Sequence, residues 1–494
     1  MNKSGFDNNK YLKTQSEQIR KRIDQFGGKL YLEFGGKIFD DYHASRVLPG
    51  FEPDSKIRML QKLKDDVEIV ITINASDIEK NKIRSDIGIA YIDDVLRLID
   101  VFSSMQLYVG SVVITRYNGQ PAADDFIRKL NILGVTCYKH YPIEGYPSNV
   151  AHIVSDEGLG KNDYIKTTHP LVVVTAPGPG SGKMATCLSQ LYHDCKNGIK
   201  SGYAKFETFP VWNLPLNHPV NLAYEAATSD LNDVNMIDPF HLESYGKIAV
   251  NYNRDVEIFP VLSTIFEKIQ GESPYKSPTD MGVNMAGDCI IDDEVCKTSS
   301  KMEIIRRYFT AKVDKIKGKN NDNQVSKLEL LMNQSGITPK FHPAVSVALK
   351  KAKETGMPAG AMVLPNGKIV TGKTSNTLGA ASALILNALK ELGNIDSSLE
   401  LISSCVLEPI CKLKTNDLKH QNPRLHTDEI LIALTVSALT DPTANLAKEQ
   451  LSKLKGSDAH FSVIISEEDE KILKRLGINV SYEALYESKG LYHK

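Results

Sequence analysis

The sequence predicts an α/β fold with a mainly parallel sheet in its N-terminal part. Short apolar runs of strand length alternate with longer segments of helical spacing, which is typical of strands joined by crossover helices. A loop rich in glycine and proline follows the apolar run LVVVTA and precedes a helical pattern, so it predicts a phosphate-loop-like turn. The chain has 494 residues, more than one hydrophobic core usually serves, so we expect several domains.

The N-terminal region begins with a helical pattern over residues 11–26, which ends at two glycines before the strand-like KLYLEF. The further elements predicted here are helix 53–63, strand 67–73, helix 92–102, strand 111–115, helix 122–133, strand 135–138 and the strand LVVVTA. Since strands and helices alternate throughout, we predict an α/β domain at residues 1–223.

The remaining chain divides into two predicted parts. Helical patterns at 256–269 and 299–308, separated by polar connectors, predict a helical subdomain with a polar linker from Lys312, together spanning 224–320. A C-terminal α/β domain is predicted at residues 321–494. Its expected elements are helices 324–333 and 344–354, strands AGAMVL and KIVTG, helix 377–392, strand FSVII, helix 467–476 and strand INVSYE.

The amino-acid composition bears on whether the protein binds nucleic acid or membranes. The chain carries 59 basic and 60 acidic side chains, so its charge gives no footprint for nucleic acid or an anionic membrane. No window reaches the length of a membrane span, the N-terminus lacks a secretory pattern, and the seven cysteines are scattered without a CxxC pair. We therefore predict a cytoplasmic protein with neither nucleic-acid nor membrane partners, and homo-oligomerisation is left open.

The glycine-rich loop is the strongest candidate for ligand binding. Glycines let a phosphate approach the main chain without interference from a Cβ, and Lys183 at the start of the following helix would add a point charge. The Ser181 hydroxyl would add a further contact. The predicted ligand-binding residues are Gly178, Gly180, Ser181, Gly182, Lys183 and Thr186.

Two departures from the usual phosphate-loop pattern bear on the cofactor. Pro177 stands where the pattern has glycine, and Met184 stands where it has the hydroxyl that holds Mg²⁺. A thioether is a poor ligand for a hard cation, so Thr186 or an outside carboxylate would have to substitute. The cofactor is therefore undetermined: ATP or another nucleotide fits the loop, with the need for Mg²⁺ open, and we assign no metal ligands. A turn that only allows tight packing is the structural alternative.

A second stretch, at residues 367–374, satisfies the phosphate-loop pattern completely but has the wrong context. Its middle residues are β-branched and follow a Pro-Asn-Gly turn, which predicts a hairpin. The order of strand-like and helix-like segments in this region resembles the core of nucleoside deaminases. Ala380 and Ala381 stand where the zinc ligand and its paired Glu would be, and no PCxxC follows, so we expect deaminase-like topology without zinc deaminase chemistry.

Two polar segments supply the other candidate residues. Residues 217–255 are dense in His, Asn, Asp and Arg, as a site for a polar ligand requires, although caps and Asx turns would explain them equally. Residues 35–50 follow the first strand, where ligands sit in open α/β sheets, or else form a capped loop. With Lys183, the candidate catalytic residues are His241, Arg254 and Asp41.

Several long blocks carry a family resemblance: YLEFGGKIFDDYHASRVLPGF, TAPGPGSGKMATCLSQLYHD, HPVNLAYEAAT, MIDPFHLESYG, YNRDVEIFPVL and LPNGKIVTGKTS. The chain resembles a bacterial family of uncharacterised proteins catalogued as a domain of unknown function, some members of which are labelled ATP-dependent peptidases. The resemblance implies an α/β N-terminal part, a helical part and a C-terminal part of deaminase-like topology, and assigns no catalytic residue. Peptidase chemistry is not supported, because no HExxH, GxSxG or Cys-His arrangement stands out.

Three functions follow as hypotheses. The first is an enzyme that binds a small phosphorylated molecule or nucleotide and catalyses phosphoryl transfer or hydrolysis, reactions in which positioning and charge neutralisation supply most of the catalysis. The second is a sensor or binding protein for a phosphorylated metabolite without turnover, which the missing hydroxyl at Met184 favours. The third is a structural or assembly protein.

Overall fold

The computed structural model describes residues 4–36, 38–39, 41–84, 88–231, 233–319 and 322–487. The chain forms two compact units. The N-terminal unit comprises Ser4–Glu225 and Leu231–Lys297, and the C-terminal unit comprises Ala226–Asp230 and the residues from Thr298 onward. The three-part division at residues 1–223, 224–320 and 321–494 stays a prediction.

The first part of the chain contains eleven strands and thirteen α-helices among the described residues. The strands are β1 (Leu30–Phe34), β2 (Val67–Asn74), β3 (Ile83–Arg84), β4 (Ile89–Ala90), β5 (Tyr108–Thr115), β6 (Cys137–Lys139), β7 (Leu171–Thr175), β8 (Gly202–Phe206), β9 (Asn235–Ile237), β10 (Val250–Tyr252) and β11 (Gly282–Val283). The helices are α1 (Asn8–Gln25), α2 (Tyr42–Val47), α3 (Ser55–Lys62), α4 (Ala75–Glu79), α5 (Tyr91–Ser104), α6 (Pro121–Ile132), α7 (Val150–Ile153), α8 (Lys183–Lys196), α9 (Pro219–Ala227), α10 (Pro239–Tyr245), α11 (Asn253–Gln270), α12 (Pro278–Met281) and α13 (Asp293–Ile316).

Seven of these strands form one sheet in the order β11-β8-β1-β7-β2-β5-β6. Every neighbouring pair is parallel, so the predicted α/β fold with a mainly parallel sheet is confirmed. The segment expected to be a helical subdomain also contains strands: β11 forms an edge of this sheet, and β9 pairs with β10. Helix α13 continues to Ile316, so the expected linker begins inside a helix.

Both faces of the central strands are buried, as expected for a parallel sheet covered by helices. On one face, Tyr31 of β1 packs in a cluster with Cys187 of α8 and Phe266 of α11. On the other face, the rings of Phe34 and Phe206 stack with their centroids 4.3 Å apart. Each fully buried large side chain contributes about 1.5–3 kcal/mol to folding.

The strand order reverses between β1 and β7. The connection from β7 to β8 runs through α8 on the Tyr31 face and passes β1. The connection from β1 to β2 contains α3, whose Lys56 lies over the Phe206 ring on the other face. The two connections leave opposite faces of the sheet, so the carboxyl ends of β1 and β7 border a crevice where open α/β sheets bind ligands.

The C-terminal unit contains a smaller mixed sheet. Its later elements are α14 (Asp322–Gln334), α15 (Pro343–Thr355), β12 (Ala359–Val363), β13 (Ile369–Lys373), α16 (Ala380–Leu392), α17 (Ser404–Lys412), α18 (Thr427–Ser437), α19 (Pro442–Lys448), β14 (Asp458–Phe461), α20 (Glu467–Arg475) and β15 (Asn479–Tyr482). The sheet order is β13-β12-β14-β15, with β12 antiparallel to both of its neighbours and β14 parallel to β15. Helices α16 to α19 lie between the hairpin and β14, and α20 lies between β14 and β15. The deaminase-like topology stays a prediction.

The second phosphate-loop pattern, at residues 367–374, lies in the hairpin of β12 and β13. Residues 369–373 pair with β12 as an antiparallel strand, and Gly367 takes a φ of 83° in the turn before it. A strand at this position provides neither the loop nor the helix start that phosphate binding needs. The predicted hairpin is confirmed.

None of the described helices combines a bilayer-spanning length with a sufficiently apolar composition.

Candidate functional site

The predicted order of strand, glycine-rich loop and helix is present. β7 ends at Thr175, α8 begins at Lys183, and the loop between them turns through Gly180 (φ 73°) and Gly182 (φ 85°). Both glycines occupy the left-handed region, which L-residues with a Cβ avoid. Gly182 has a second constraint, because a Cβ added there would lie 3.0 Å from the side chain of Thr115.

Polar side chains at the ends of the neighbouring strands hold this loop in place. The Thr115 hydroxyl at the end of β5 donates to the Ser181 carbonyl at 2.7 Å. From β2, the Thr72 hydroxyl lies 3.3 Å from Ser181 Oγ, and the Asn74 amide lies 3.4 Å from the Gly180 carbonyl. Ser181 is therefore buried among strand ends, and its hydroxyl has a protein partner.

The loop exposes the positive end of α8. Gly182 is the N-cap and offers no side-chain acceptor, and no hydrogen bond satisfies the backbone N–H groups of residues 182–185 within the described chain. The half-buried Lys183 has no ion-pair partner among the described residues. Arg116, which follows Thr115 with a φ of 50°, is exposed. A helix N-terminus with unpaired N–H groups and adjacent cations favours an anion.

Thr186 lies in the first turn of α8, and its hydroxyl contacts a side chain outside the loop. Its hydroxyl is 3.4 Å from His140 Nδ1, and both residues are buried. Burial lowers the pKa of His140 to about 4, which keeps the ring neutral, while Nε2 lies 3.1 Å from the Asp163 carbonyl. A role for Thr186 in binding a ligand or Mg²⁺ stays a prediction.

Asp41 has two protein partners. It caps α2 by accepting a hydrogen bond from the Ala44 N–H at 3.1 Å, and its other oxygen lies 2.8 Å from Lys56 Nζ. Burial opposes ionisation of Asp41, but the Lys56 ammonium outweighs this effect and lowers the pKa. These contacts give Asp41 a structural role as a helix cap and ion-pair partner. Its catalytic role stays a prediction.

His241 and Arg254 also have partners outside the loop. The Arg254 guanidinium forms two contacts with the buried Asp233, at 2.6 and 2.8 Å. His241 lies on α10, where its Nδ1 is 3.0 Å from Ser277 Oγ, and it lines a cavity beside β11. No contact of the described residues joins either side chain to residues 178–183, so their catalytic roles stay predictions.

The sequence reasoning missed a buried charged cluster at the ends of β1 and β8. Lys205 lies between Glu207, at 2.9 Å, and Asp255 in the first turn of α11. Glu33 accepts a hydrogen bond from the Tyr203 hydroxyl at 2.7 Å and pairs in register with Lys205. The available signal was the presence of charged residues inside short apolar runs, in YLEF and AKFE.

Burial and neighbouring charges shift the pKa values of Glu207 and Lys205 in this cluster. It raises the pKa of Glu207 to about 7, although Lys205 pulls the value down. Burial alone would lower the pKa of Lys205, but Asp255 and Glu207 outweigh it and hold the ammonium charged. Perturbed carboxyl groups in a concave region are typical of functional sites.

The cluster is close to the glycine-rich loop. β1 lies between β7 and β8, and neighbouring strands are about 4.8 Å apart, so the base of the loop is within about 10 Å of β8. Burial raises the pKa of the Cys187 thiol in α8, Glu33 raises it further and Lys183 lowers it. Glu33 and Lys183 thus act on the same side chain. No group of three His, Cys, Asp or Glu side chains suited to a metal occurs in the described part of the chain.

Together, the fold and the site define an α/β protein with a glycine-rich, cation-bearing loop at the switch point of a parallel sheet. Residues 4–336 match the family described as "Domain of unknown function DUF1846, N-terminal", and residues 340–492 match "Domain of unknown function DUF1846, C-terminal". The chain belongs to this family, which confirms the resemblance seen in the sequence.

Two relatives show the extent of the similarity. A UPF0371 protein of Streptococcus pyogenes serotype M5 is 59% identical over 489 residues, which cover 99% of each chain. A UPF0371 protein of Streptococcus uberis is 58% identical over 494 residues, which cover 100% of each chain. The similarity therefore includes the glycine-rich loop and both units.

Proposed function

We propose that residues 178–183 bind the phosphate group of a small phosphorylated molecule or nucleotide, in a cytoplasmic protein. One observation carries this proposal: the first turn of α8 is uncapped and lies at the switch point with an unpaired Lys183 beside it. Backbone N–H groups, the helix dipole and the ammonium all favour an anion at this position.

Phosphoryl transfer or hydrolysis is the reaction that fits this site best. Lys183 would neutralise charge on the phosphoryl group, and Glu33 at the end of β1 supplies a carboxylate on the α8 face of the sheet. The alternative is a sensor without turnover. It is favoured by Met184 at the position of the Mg²⁺ hydroxyl and by the contact of Thr186 with His140.

Calorimetric titration of the full chain with inorganic phosphate, ATP and GTP, each with and without Mg²⁺, tests binding. Lys183→Ala removes a charge-assisted contact of about 1.5–3 kcal/mol, so we expect affinity to fall roughly ten- to hundredfold. Lys196→Ala is the matched control, because Lys196 lies at the other end of α8 and pairs with Asp156. Equal affinity of Lys183→Ala and the parent protein would refute the assignment.

Phosphate release from the bound compound separates the two functions. An enzyme would release phosphate well above the uncatalysed rate, and Lys183→Ala would abolish that release. A sensor would bind the compound tightly and leave it intact. If phosphate release continues in Lys183→Ala, the turnover takes place at another site.

A further inference from the structure

A cavity of about 300 Å³ lies at the carboxyl end of β8, beside the edge strand β11. Its walls come from α1, the segment after β8, α10, β10, α12, β11 and the two residues after β11, and they include none of residues 177–183. We propose that this cavity is a second binding site, separate from the glycine-rich loop, for a small neutral compound with several hydroxyl groups, of the class of a sugar or polyol.

Glu207 presents an open acceptor to this cavity. Its side chain is 11% exposed, and Oε1 lies 2.9 Å from Lys205 Nζ. Oε2 points toward β11, since a Cβ added at Gly282 would lie 3.2 Å from it, and no donor in the described chain contacts it. This oxygen reaches the surface of the cavity, so a hydroxyl from a ligand can donate to it in place of water.

His241, on α10, presents a second open atom to the cavity. Its side chain is 10% exposed, and Nδ1 is fixed by Ser277 Oγ at 3.0 Å. Nε2 has no hydrogen-bond partner among the described residues. Glu207 and His241 are therefore each anchored on one side and open toward the cavity on the other, which is the arrangement of a formed site rather than of a packing defect.

The lining selects the class of ligand. Arg22 is cationic while Glu207 and Asp280 are acidic, so a charged ligand of either sign meets a like charge. A hydroxyl both donates and accepts, so it suits the open carboxylate oxygen, the imidazole and the guanidinium alike. The Trp212 indole, held by its hydrogen bond to the Asn284 carbonyl at 2.8 Å, offers an apolar surface for C–H groups.

The volume of the cavity agrees with a ligand of the size of a single sugar or polyol. Ligand cavities occupy roughly 300–1,000 Å³, and this cavity is at the lower end of that range. The compound is therefore a small molecule such as a pentose, a hexose or an inositol.

Trp212 provides a direct measurement, since it is the only tryptophan among the 494 residues and it lines the cavity. We would titrate the full chain with D-ribose, D-glucose and myo-inositol in the millimolar range, with adenosine and spermidine as comparison compounds, following fluorescence and heat. We expect a saturable signal for at least one of the three polyhydroxy compounds. Glu207→Gln turns an amide toward the cavity or toward Lys205 and should weaken binding roughly tenfold or more.

Three controls make the result decisive. Glu243→Gln removes the same charge from the exposed side of α10 and should leave binding unchanged. Lys183→Ala should also bind the polyhydroxy compound as the parent does, which separates this proposal from the proposed function. His241→Gln provides a second variant of the cavity if Glu207→Gln fails to fold.

Several results would overturn the proposal. These are the absence of both fluorescence and heat signals with all three polyhydroxy compounds, saturation by adenosine or spermidine alone, or parental affinity in a folded Glu207→Gln or His241→Gln variant.

Discussion

The Thr115 hydroxyl donates a 2.7 Å hydrogen bond to the carbonyl of Ser181, which ties the end of β5 to the loop after β7. β2 lies between these two strands, so the contact bridges the sheet at its carboxyl edge. The loop conformation thus depends on a side chain far away in sequence.

Thr115→Val should test this dependence. Valine keeps the shape of threonine but leaves the Ser181 carbonyl without its donor, so the free energy of unfolding should fall by about 1–3 kcal/mol. Urea unfolding followed by circular dichroism measures the change. Thr115→Ser keeps the hydroxyl and should be less destabilised. Equal stability of Thr115→Val and the parent would show that the contact contributes nothing.

Gly182→Ala should destabilise the loop for two reasons. Alanine is strained at a φ of 85°, by about 1–2 kcal/mol, and its Cβ would press on Thr115 at 3.0 Å. Gly198→Ala is the matched control, since Gly198 has a φ of 70° with open space around it and isolates the backbone contribution. In thermal unfolding, the Gly182→Ala variant should have a lower melting temperature than the Gly198→Ala variant. Equal melting temperatures of the two variants would show that the contact of the new Cβ with Thr115 adds no destabilisation.

Asp194 should be among the residues most important for stability of the N-terminal unit. Its buried carboxylate accepts hydrogen bonds from the hydroxyls of Tyr31 at 2.8 Å and Tyr164 at 2.7 Å, and lies 3.0 Å from Lys29 Nζ. Asp194→Ala leaves these buried donors without an acceptor, so it should lower the free energy of unfolding by about 3–5 kcal/mol. Urea unfolding tests this, with the exposed Asp156→Ala as control, for which a loss below about 1 kcal/mol is expected.

His342 should make the C-terminal unit sensitive to acid. Burial lowers its pKa to about 3, and the charges of Arg306 and His460 act in the same direction. The folded state keeps the ring neutral, whereas the unfolded chain binds a proton below the ordinary pKa of about 6.5. The unfolded state therefore gains protons first, and stability is lost as the pH falls from 6.5 toward 3, by about 2 kcal/mol at pH 5.

His342→Asn should remove this sensitivity. Asparagine keeps the N-cap acceptor that His342 provides to the Ala344 N–H, but it does not titrate. The loss of unfolding free energy between pH 7 and pH 5 should therefore be about 2 kcal/mol smaller in the variant. The exposed His420→Asn should behave as the parent. An unchanged pH dependence in His342→Asn would exclude this residue as the cause.

Local patterns in the sequence predicted the features that local chemistry determines. The loop at Gly180 and Gly182 was predictable because left-handed turns require glycine, and the hairpin at Gly367 because its turn and β-branched residues leave little choice. The alternation of strands and helices likewise predicted the parallel sheet.

Features that depend on long-range pairing were not predictable. Glu33 and Lys205 become neighbours only through the pairing of β1 with β8, and charged residues in a strand weaken the apolar signal. For the same reason the strand expected at FSVII lies earlier, at Asp458–Phe461, because pairing with β12 selects the register over the most apolar run. Arg116 follows Thr115, whose contact with Ser181 depends on the placement of β5 beside β2, so the sequence alone could not place this residue near the loop.

The position of β1 also constrains when the protein can fold during synthesis. Leu30 pairs with Leu171 on one side and with Gly202 on the other, so β1 gains its first partner only after β7 has been synthesised and its second only after β8. Such distant pairing slows folding and leaves an apolar strand exposed meanwhile. Strand β1 is therefore exposed for much of synthesis, whereas β2 and β5 pair with each other and can join without waiting for it.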